Sequence, residues 1–543
     1  MKAALIQCNP VTGDIKGNIE RISCAVEKAG RVDLCITPEL ALSGVQPGHY
    51  LSMSDFVEGC SRGLDILSRR FAGGPALLIG APVVSVYDSE LLSNAAVLIR
   101  DGHWDVVSRK IRPESSRDPQ GQFFDRGVSC GIINLSGWRL GIVLCENHSA
   151  SAFWNVHGTG YAPLLDLISR GVDAIIHMHA TPYVIGKRAD TEAMLTHVAA
   201  RHHIHLLSCN IVGGNGGFIY SGQSLALDPT GAVCARGKAF EEDVLVVDMA
   251  TGTAPVARVG RSWQENVFGA LVLGTRDFVH KSGFNKVLLH LSGGIDSALV
   301  LAVAVEALGA RNVSAVIMPS SFTTQEAITG ASQLAATLGV SVTSVPIGDI
   351  AAAFNKILAP LRDSFNICDD TASSFKMQAR IRGSLLMSLT TGEEYIVLNS
   401  GNKSERAMGY STLYGDTVGT LGVLADLTKS QVFSVARWLN ETRDGVLFPA
   451  SVFKKTSSTQ TFLSRHKEDT NLSYDELDSV LDALLAARPR HALPDINARQ
   501  NDVRGTVFSM EFKRRQEATP LRVSDTPFGR SWSVPLIGRF RLP

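Results

Sequence analysis

Length, composition and charge set the first limits on this chain of 543 residues. At about 100–200 residues per domain, the length indicates at least two domains, and 45% hydrophobic with 19% charged residues is typical of globular proteins. Lys+Arg and Asp+Glu both number 52. This zero net charge argues against a nucleic-acid partner, because such binders usually carry a basic excess.

Cysteine usage and the absence of long apolar runs predict the compartment. The nine cysteines form no Cys-x-x-Cys pair, which argues against a zinc knuckle, a redox dithiol or a disulfide scaffold. No apolar run is long enough for a signal peptide or for a membrane span of about 18 residues. We therefore expect a cytoplasmic protein with no membrane partner.

The first 250 residues alternate short apolar runs with longer amphipathic segments. Runs of this length rich in Val, Ile and Leu predict buried strands. The predicted strands are Ala3–Gln7, Leu34–Thr37, Ala76–Ile79, Gly141–Leu144, Ala174–His177 and Leu206–Asn210. Helices are predicted at Asn18–Gly30 and Asp190–His203, and hairpins within Ile211–Ala226. This pattern predicts an α/β layer domain over residues 1–250.

A stretch without periodicity, residues 251–264, predicts a linker because it carries Gly and Pro. The second domain, residues 265–543, then begins with a helix, and the strand–helix–strand unit that follows is typical of a parallel sheet. Its predicted elements are a helix at Asn266–Lys281, a strand at Val287–Leu291, a turn at Ser292–Ser297, a helix at Ala298–Leu308 and a strand at Val313–Met318.

The glycine-rich turn of the second domain carries the chemistry of a phosphate-binding loop. Gly293 and Gly294 permit backbone conformations and close approaches that a Cβ would forbid, and the following helix start offers N–H groups to an anion. Ser292 and Ser297 add hydroxyl donors, and Asp296 offers a carboxylate for a magnesium ion. The Walker A pattern is absent, so the turn differs from the loop of ordinary P-loop kinases. It resembles the pyrophosphatase loop of enzymes that cleave ATP to AMP and pyrophosphate.

Further charged residues follow in the order that triphosphate chemistry needs. Glu405 comes after the predicted strand Tyr395–Leu398, and Asp416 and Lys429 lie further along. Carboxylates can hold a metal ion that neutralises phosphate charge, and a lysine can stabilise departing pyrophosphate.

These motifs together resemble the synthetase domain of the glutamine-dependent NAD synthetase family. The matching stretches are 270–278, Leu291–Ala298, 318–320, Gln378–Gly383, Gly401–Glu405, Gly409–Asp416 and Lys513–Gln516. The resemblance implies a doubly wound parallel sheet of the ATP-pyrophosphatase (adenine-nucleotide alpha hydrolase-like) type. It also implies ATP-dependent adenylation of the deamido-NAD carboxylate, followed by displacement of AMP by ammonia.

The same resemblance implies roles for individual residues. It implies that Asp296 and Glu405 bind magnesium. It also implies that the loop residues and two lysines bind ATP, and that a separate group of residues binds the acceptor. The ATP set is Ser292, Gly293, Gly294, Asp296, Ser297, Lys429 and Lys455, and the acceptor set is Lys376, Arg380, Ser400 and Asp416.

Cys145 ends an apolar strand of the first domain, where a neighbouring base could hold it as a thiolate. Glu39 also follows a predicted strand and could take the thiol proton, and Lys110 could stabilise an oxyanion. A buried core role for Cys145 is the simpler alternative, since cysteine is often buried. A histidine-based triad is a second alternative, from His148, His177 and His179.

Residues 1–248 resemble the nitrilase-type amidase family, whose site is Glu-Lys-Cys and whose fold is an α/β sandwich. The resemblance continues through 181–183, Gly186–Lys187, Asn210–Gly214 and Asp228–Gly231. It implies that Glu39 is the base, Lys110 the oxyanion stabiliser and Cys145 the nucleophile. A nitrilase-type domain followed by a pyrophosphatase-type domain is the order found in glutamine-dependent NAD synthetases.

Several positions depart from the family pattern and leave a second function open. Lys110 stands one residue nearer the following proline than the family lysine does, and Phe375-Lys376 replaces the family's Glu-Asn. The segments 455–461 and 471–474 also differ. The alternative is a relative that amidates another small carboxylate in a specialised pathway, with Lys376 meeting an extra anionic group or simply facing solvent.

The expected substrates are glutamine, ATP and deamido-NAD or that other acid, with Mg²⁺ as cofactor. From the resemblance we expect a homo-oligomer and a cytoplasmic ligase of NAD biosynthesis.

Overall fold

The computed structural model describes residues 1–111, 119–144, 163–251, 261–367, 370–390, 394–443, 447–453, 473–486 and 498–529. The chain divides into two compact units, Met1–Arg261 and Ser262–Pro543. In the described part of the chain, no helix combines the length and the apolar content that crossing a membrane requires.

The first unit is built on two mixed sheets of six strands each. The first sheet has the order β14-β1-β2-β3-β4-β5 and the second β13-β12-β9-β8-β7-β6. The strands of the first sheet are β1 Lys2–Gln7, β2 Leu34–Ile36, β3 Ala76–Val84, β4 Leu92–Arg100, β5 His103–Arg109 and β14 Asp243–Asp248. Those of the second are β6 Gly131–Leu135, β7 Trp138–Leu144, β8 Ala174–His179, β9 His205–Asn210, β12 Leu225–Leu227 and β13 Val233–Arg236. A separate hairpin joins β10 Val212–Asn215 to β11 Phe218–Ser221.

Helices cover the outer faces of both sheets. The helices of this unit are α1 Ile15–Ala29, α2 Ser54–Arg70, α3 Pro163–Ser169 and α4 Lys187–His202, with single 3₁₀ turns at Gly48–Ser52 and Pro119–Gln122. Alternate residues of a strand face opposite sides, so in β1 Ala3 and Leu5 enter the core between the sheets while Ala4 and Ile6 pack towards α1 and α2. The predicted α/β sandwich is confirmed.

The second unit contains one parallel sheet with the order β17-β16-β15-β18-β19-β20. Its strands are β15 Lys286–His290, β16 Val313–Ile317, β17 Ser341–Ser344, β18 Tyr395–Asn399, β19 Leu421–Gly422 and β20 Thr519–Pro520. The strand order reverses between β15 and β18, and ligands of doubly wound sheets bind at the carboxyl ends of the strands at such a point. The predicted doubly wound sheet is confirmed.

The helices of the second unit pack on the faces of this sheet. They are α5 Trp263–Lys281, α6 Ile295–Leu308, α7 Gln325–Thr337, α8 Gly348–Phe365, α9 Thr371–Ser388, α10 Lys403–Met408, α11 Lys429–Thr442, α12 Tyr474–Ala486, α13 Ala498–Ser509 and α14 Glu511–Arg514. Two 3₁₀ turns lie at Ala310–Asn312 and Ala450–Phe453. The face towards α8 and α9 buries Leu288, Val316, Ile347 and Ile381.

Two helix starts differ from the sequence prediction. The predicted turn over Ser292–Ser297 is wrong at its end, because α6 begins at Ile295 and the N–H of Ala298 already donates to the carbonyl of Gly294. Helix α5 begins at Trp263, inside the predicted linker, because the Ser262 hydroxyl caps it by accepting from the Glu265 N–H at 3.1 Å. Residues 252–260 of that linker lie outside the described residues.

Candidate functional site

The first candidate site lies at the carboxyl end of β2. Glu39 occupies the turn that follows this strand, and its neighbour Leu40 has a positive φ of 52°. Gly80 lets β3 approach the turn closely, since a Cβ there would lie 2.2 Å from the Pro38 carbonyl oxygen. The Gly80 N–H donates to the Thr37 hydroxyl at 3.1 Å. The close approach holds Glu39 in place, with only 3% of its surface exposed.

Lys110, which follows β5, completes a buried ion pair with Glu39. Its Nζ lies 2.7 Å from Glu39 Oε1, and the Asn94 side-chain amide donates to the same oxygen at 2.6 Å. Glu39 Oε2 has no hydrogen-bond partner among the described residues. The carboxylate therefore keeps one oxygen available as a proton acceptor, while the ammonium holds the other.

Strand β7 is the element that directly precedes Cys145 in the sequence. Cys145 itself lies outside the described residues, so its role as nucleophile stays a prediction, as does any role of His148. The strand ends at Leu144, and the Ser108 hydroxyl donates to the Ile142 carbonyl at 3.0 Å. This bond ties the end of β5, two residues before Lys110, to the end of β7.

The two described histidines of the triad alternative lie on β8. His177 and His179 are buried, with rings stacked 4.2 Å apart, and both bond the Ser208 hydroxyl. The carboxylate that the described residues place beside Lys110 is Glu39, and this arrangement favours the Glu-Lys interpretation.

The second candidate site is the glycine-rich loop between β15 and α6. The Ser292 and Ser297 hydroxyls lie 3.0 Å apart, and the Ser297 hydroxyl donates to the Gly294 carbonyl at 3.1 Å. Gly293 has a φ of 84°, and a Cβ there would lie 2.6 Å from the Ala327 carbonyl oxygen. Only glycine fits this position without displacing backbone. The loop therefore presents the first turn of α6 at the strand edge, as an anion site requires.

Asp296 stands at the centre of a carboxylate cluster. The Lys429 Nζ forms an ion pair with Asp296 Oδ2 and lies 3.5 Å from Glu405 Oε1. The Asn402 side chain links the Asp296 carboxylate to the backbone of Glu405, because its amide donates to Asp296 Oδ1 at 2.9 Å and its oxygen accepts from the Glu405 N–H at 3.0 Å.

The charges of this cluster shift one another. Burial raises the pKa of Glu405 to about 7, and the neighbouring Asp296 carboxylate adds to the rise while Lys429 opposes it. Burial opposes the charge on Lys429, but Asp296 and Glu405 outweigh it and raise the Lys429 pKa. Two carboxylates with a single ammonium thus leave the cluster short of positive charge.

A cavity of about 300 Å³ opens beside the cluster at the ends of β15 and β18. One part of its wall is apolar, with Phe375, Ala379, Leu386 and Leu398. The polar part of the wall consists of His290, Ser292, Asp296, Ser297, Arg382, Asn399, Ser400, Glu405, Tyr410, Ser411, Thr412, Asp416 and Tyr474. This size and mixture suit a small ligand that combines an apolar ring with polar groups.

The structure brings some predicted site residues to this cavity and leaves others away from it. Ser400 and Asp416 line the cavity, whereas Lys376 and Arg380 are exposed and do not. The Arg380 Nε donates to the Leu413 carbonyl at 3.2 Å. Lys455 lies outside the described residues, so its role stays a prediction.

Four residues that the sequence analysis did not predict lie in these sites. Asn94 donates to the Glu39 carboxylate and Asn402 to the Asp296 carboxylate, and Arg382 and His290 line the cavity. Arg382 Nε donates to the Met318 carbonyl at 3.0 Å. Asn402 and Arg382 lie in stretches that resemble the family, and this resemblance could have indicated them. For Asn94 and His290 the sequence gives no such indication.

His290 should make the stability of the second unit depend on pH. Burial at the cavity wall, with the nearby Arg382 charge, lowers the His290 pKa to about 3. Because the unfolded imidazole titrates near ~6.5, the unfolded state binds more protons below that pH, and stability falls as pH falls. The free energy of unfolding of the parent should fall between about pH 6.5 and pH 5. We expect His290→Gln to make this fall smaller by up to roughly 1.5 kcal/mol.

Urea unfolding at the two pH values measures this difference. The matched control is His280→Gln, at an exposed histidine of α5. Equal pH dependence in the parent and the His290 variant would contradict the prediction.

Comparisons with known proteins agree with both units. A family model described as carbon-nitrogen hydrolase matches residues 2–258, and one described as NAD synthase matches residues 267–517. The glutamine-dependent NAD(+) synthetase of Synechocystis sp. is 35% identical over 99% of this chain and 98% of the relative. That of Thermotoga maritima is 31% identical over 100% of this chain and 99% of the relative.

A solved structure supports the same assignment. Glutamine-dependent NAD+ synthetase from Acinetobacter baumannii, in complex with adenosine diphosphate, superposes with a TM-score of 0.76 at 28% identity and covers 98% of both chains. The full-length match to these relatives supports the deamido-NAD interpretation rather than the alternative acid. The chain belongs to the glutamine-dependent NAD(+) synthetase family.

Proposed function

We propose that this chain makes NAD from deamido-NAD, ATP and glutamine. The observation that carries the proposal is the match over 99% of the chain to a relative named glutamine-dependent NAD(+) synthetase. Each unit supplies one half of the reaction. The first releases ammonia from glutamine, and the second activates a carboxylate with ATP and joins the ammonia to it.

In the first unit, the Glu39–Lys110 pair supports a thiol-based amide hydrolysis. Cys145 gives its proton to Glu39, attacks the amide carbon of glutamine and forms a tetrahedral oxyanion that Lys110 stabilises. Ammonia then leaves with the proton from Glu39, and water hydrolyses the remaining thioester to glutamate. The Glu39 Oε2 atom, which no described residue bonds, is the oxygen available for that proton.

In the second unit, the Ser292–Ser297 loop and Lys429 support adenylation. The acceptor carboxylate attacks the α-phosphorus of ATP, and pyrophosphate leaves. Ammonia then attacks the acyl carbon of the adenylate, and AMP leaves as the amide forms. The loop hydroxyls and the start of α6 face the phosphates, where positive charge and N–H groups stabilise the negative charge of the transition state.

The carboxylate cluster fits a magnesium ion. Magnesium in nucleotide sites usually takes one or two carboxylates, with phosphate oxygens and water as further ligands. Asp296 and Glu405 supply two carboxylates, and their mutual repulsion, which helps to raise the Glu405 pKa, supports a site for added positive charge. A bound Mg²⁺ would neutralise phosphate charge during pyrophosphate release.

The acceptor is proposed to occupy the cavity lined by Ser400 and Asp416. Lys376 and Arg380 are then left to interact, from outside the cavity wall, with the more distant anionic parts of the acceptor. We also propose a homo-oligomeric, cytoplasmic enzyme, and both of these proposals rest on the family resemblance.

The experiment is an assay of the purified protein with ATP, Mg²⁺ and deamido-NAD, with glutamine or ammonium chloride as the nitrogen source. We expect NAD, AMP and pyrophosphate with either source, and glutamate only with glutamine. The Cys145→Ala variant should lose NAD formation from glutamine and keep it from ammonium. Pyrophosphate release that depends on another acid, without NAD formation from deamido-NAD, would contradict the proposal.

A further inference from the structure

Two buried histidines occupy β8, in the middle of the second sheet of the first unit. Ala174, Ile176 and Met178 of this strand enter the core between the sheets, whereas Ile175 packs in the core on the helix side. Because side chains alternate along a strand, His177 and His179 face the helix side with Ile175. Their exposed fractions are 0% and 2%, so the strand buries two polar rings in an apolar layer.

A single hydroxyl joins the two rings. Ser208 Oγ on β9 lies 3.1 Å from His177 Nδ1 and 3.0 Å from His179 Nε2, and His179 Nδ1 lies 2.7 Å from Thr181 Oγ1. A hydroxyl carries one proton and two lone pairs, so Ser208 can donate to one ring and accept from the other. Both ring nitrogens of His179 thus have hydrogen-bond partners that suit an uncharged ring.

Positive charges surround His179. Burial lowers its pKa well below the ordinary value, and His177, Arg188 and Lys110 each add to that effect. Arg188 on α4 lies within 3.7 Å of Glu192, which also pairs with Arg236. The ring thus stays neutral.

The position of His179 in the sheet connects it to the glutaminase centre. Leu144, the last described residue of β7, pairs with Met178 in parallel register, so His179 is the next residue of β8 towards the same edge. Glu39 and Lys110, which form the buried ion pair, follow β2 and β5, and the Ser108–Ile142 hydrogen bond ties the end of β5 to β7. The hydrogen bonds of His179 fix this end of β8 to β9 on one side and to the Thr181 loop on the other.

We infer that His179 is a positioning residue of the glutaminase centre, a hydrogen-bonded ring that holds the end of β8 beside the end of β7. The inference rests on the proposed glutaminase activity. It assigns to His179 no contact with glutamine and no proton transfer with it. The geometry of the centre depends on the two bonds that the ring makes, and the volume of the ring is secondary.

Two replacements separate hydrogen bonding from volume. His179→Asn keeps a donor and an acceptor in a smaller side chain, whereas His179→Leu keeps bulk and loses both. We expect His179→Leu to lower the kcat of glutamine hydrolysis by ~10–100-fold, the cost of slight misplacement of catalytic groups. KM should stay within roughly 3-fold, since the ring makes no contact with substrate. His179→Asn should retain kcat within about 3-fold of the parent.

Ser208→Ala tests whether the hydroxyl belongs to the same unit. We expect the double variant with His179→Leu to be no slower than the slower single variant, because residues that act through one network are not additive. NAD formation from ammonium should be unchanged in every variant, and His197→Leu, at an exposed histidine of α4, serves as the control. Thermal unfolding of each variant checks that it is folded.

The outcomes separate this inference from the proposed function. A parent protein that does not hydrolyse glutamine overturns both. A parent that does so, with His179→Leu as active as His179→Asn, overturns this inference alone. Additive losses in the double variant, or an equal loss of ammonium-dependent synthesis, also overturn it.

Discussion

Asp296→Asn is expected to lower NAD formation by ~10²–10³-fold with glutamine and with ammonium alike, the usual cost of losing one preorganised charge at a transition state. The replacement removes one of the two carboxylates that pair with Lys429 and that are proposed to bind Mg²⁺. Because the first unit is untouched, glutamine hydrolysis measured as glutamate release should persist. Steady-state assays of NAD, pyrophosphate and glutamate in the same sample measure all three.

The matched control is Glu306→Gln, which removes a carboxylate from the exposed end of the same helix, where it pairs with Arg443. It should leave all three rates near those of the parent. Because removing one partner of a buried ion pair can cost about 3–5 kcal/mol of stability, urea unfolding of the Asp296 variant accompanies the assays. Pyrophosphate release at the parent rate by a folded Asp296→Asn protein would rule out the assigned role.

Glu39→Gln should impair the reaction with glutamine and leave the reaction with ammonium unchanged. The amide keeps the shape of the side chain but cannot take a thiol proton, and general-base catalysis typically contributes ~10²–10⁴-fold. We expect NAD formation from glutamine to fall by about that factor, while synthesis from ammonium stays at the parent rate. Glutamate release and NAD formation, measured with each nitrogen source, test this.

The control for this variant is Glu58→Gln on α2, a surface carboxylate paired with Arg62. It should be active with both nitrogen sources. A Glu39→Gln enzyme that hydrolyses glutamine at the parent rate would show that another group takes the proton. A variant that loses ammonium-dependent synthesis as well would show that the replacement acts beyond the first unit.

Each of the two candidate centres contains an ion pair between a lysine and a carboxylate from a distant part of the chain. Lys110 pairs with Glu39 and Lys429 with Asp296. In each pair an asparagine side chain, Asn94 or Asn402, donates a further hydrogen bond to the carboxylate. A neutral amide positions the carboxylate without adding charge, so the ammonium sets the electrostatics.

The sequence alone was sufficient for the type of each unit and for several of its buried strands. Runs such as Ala3–Gln7 and Ala174–His177 are apolar on both faces, because a strand between a second sheet and a helix layer is buried on both sides. The Ser292–Ser297 motif was likewise readable, since its glycines and hydroxyls are local requirements of a tight turn at a helix start. These features depend on neighbours in the chain, which a sequence displays directly.

The pairings inside the sites were decided by tertiary structure. Glu39 and Lys110 are 71 positions apart, and Asp296 and Lys429 are 133 apart. Each pair can form only when the strands that carry its two residues lie close together. The order of the strands in a sheet follows from packing over the whole unit. No local pattern records that Asn402 joins Asp296 to Glu405, or that Lys376 and Arg380 face solvent. Such contacts are long-range, and only the folded chain brings their partners within hydrogen-bonding distance.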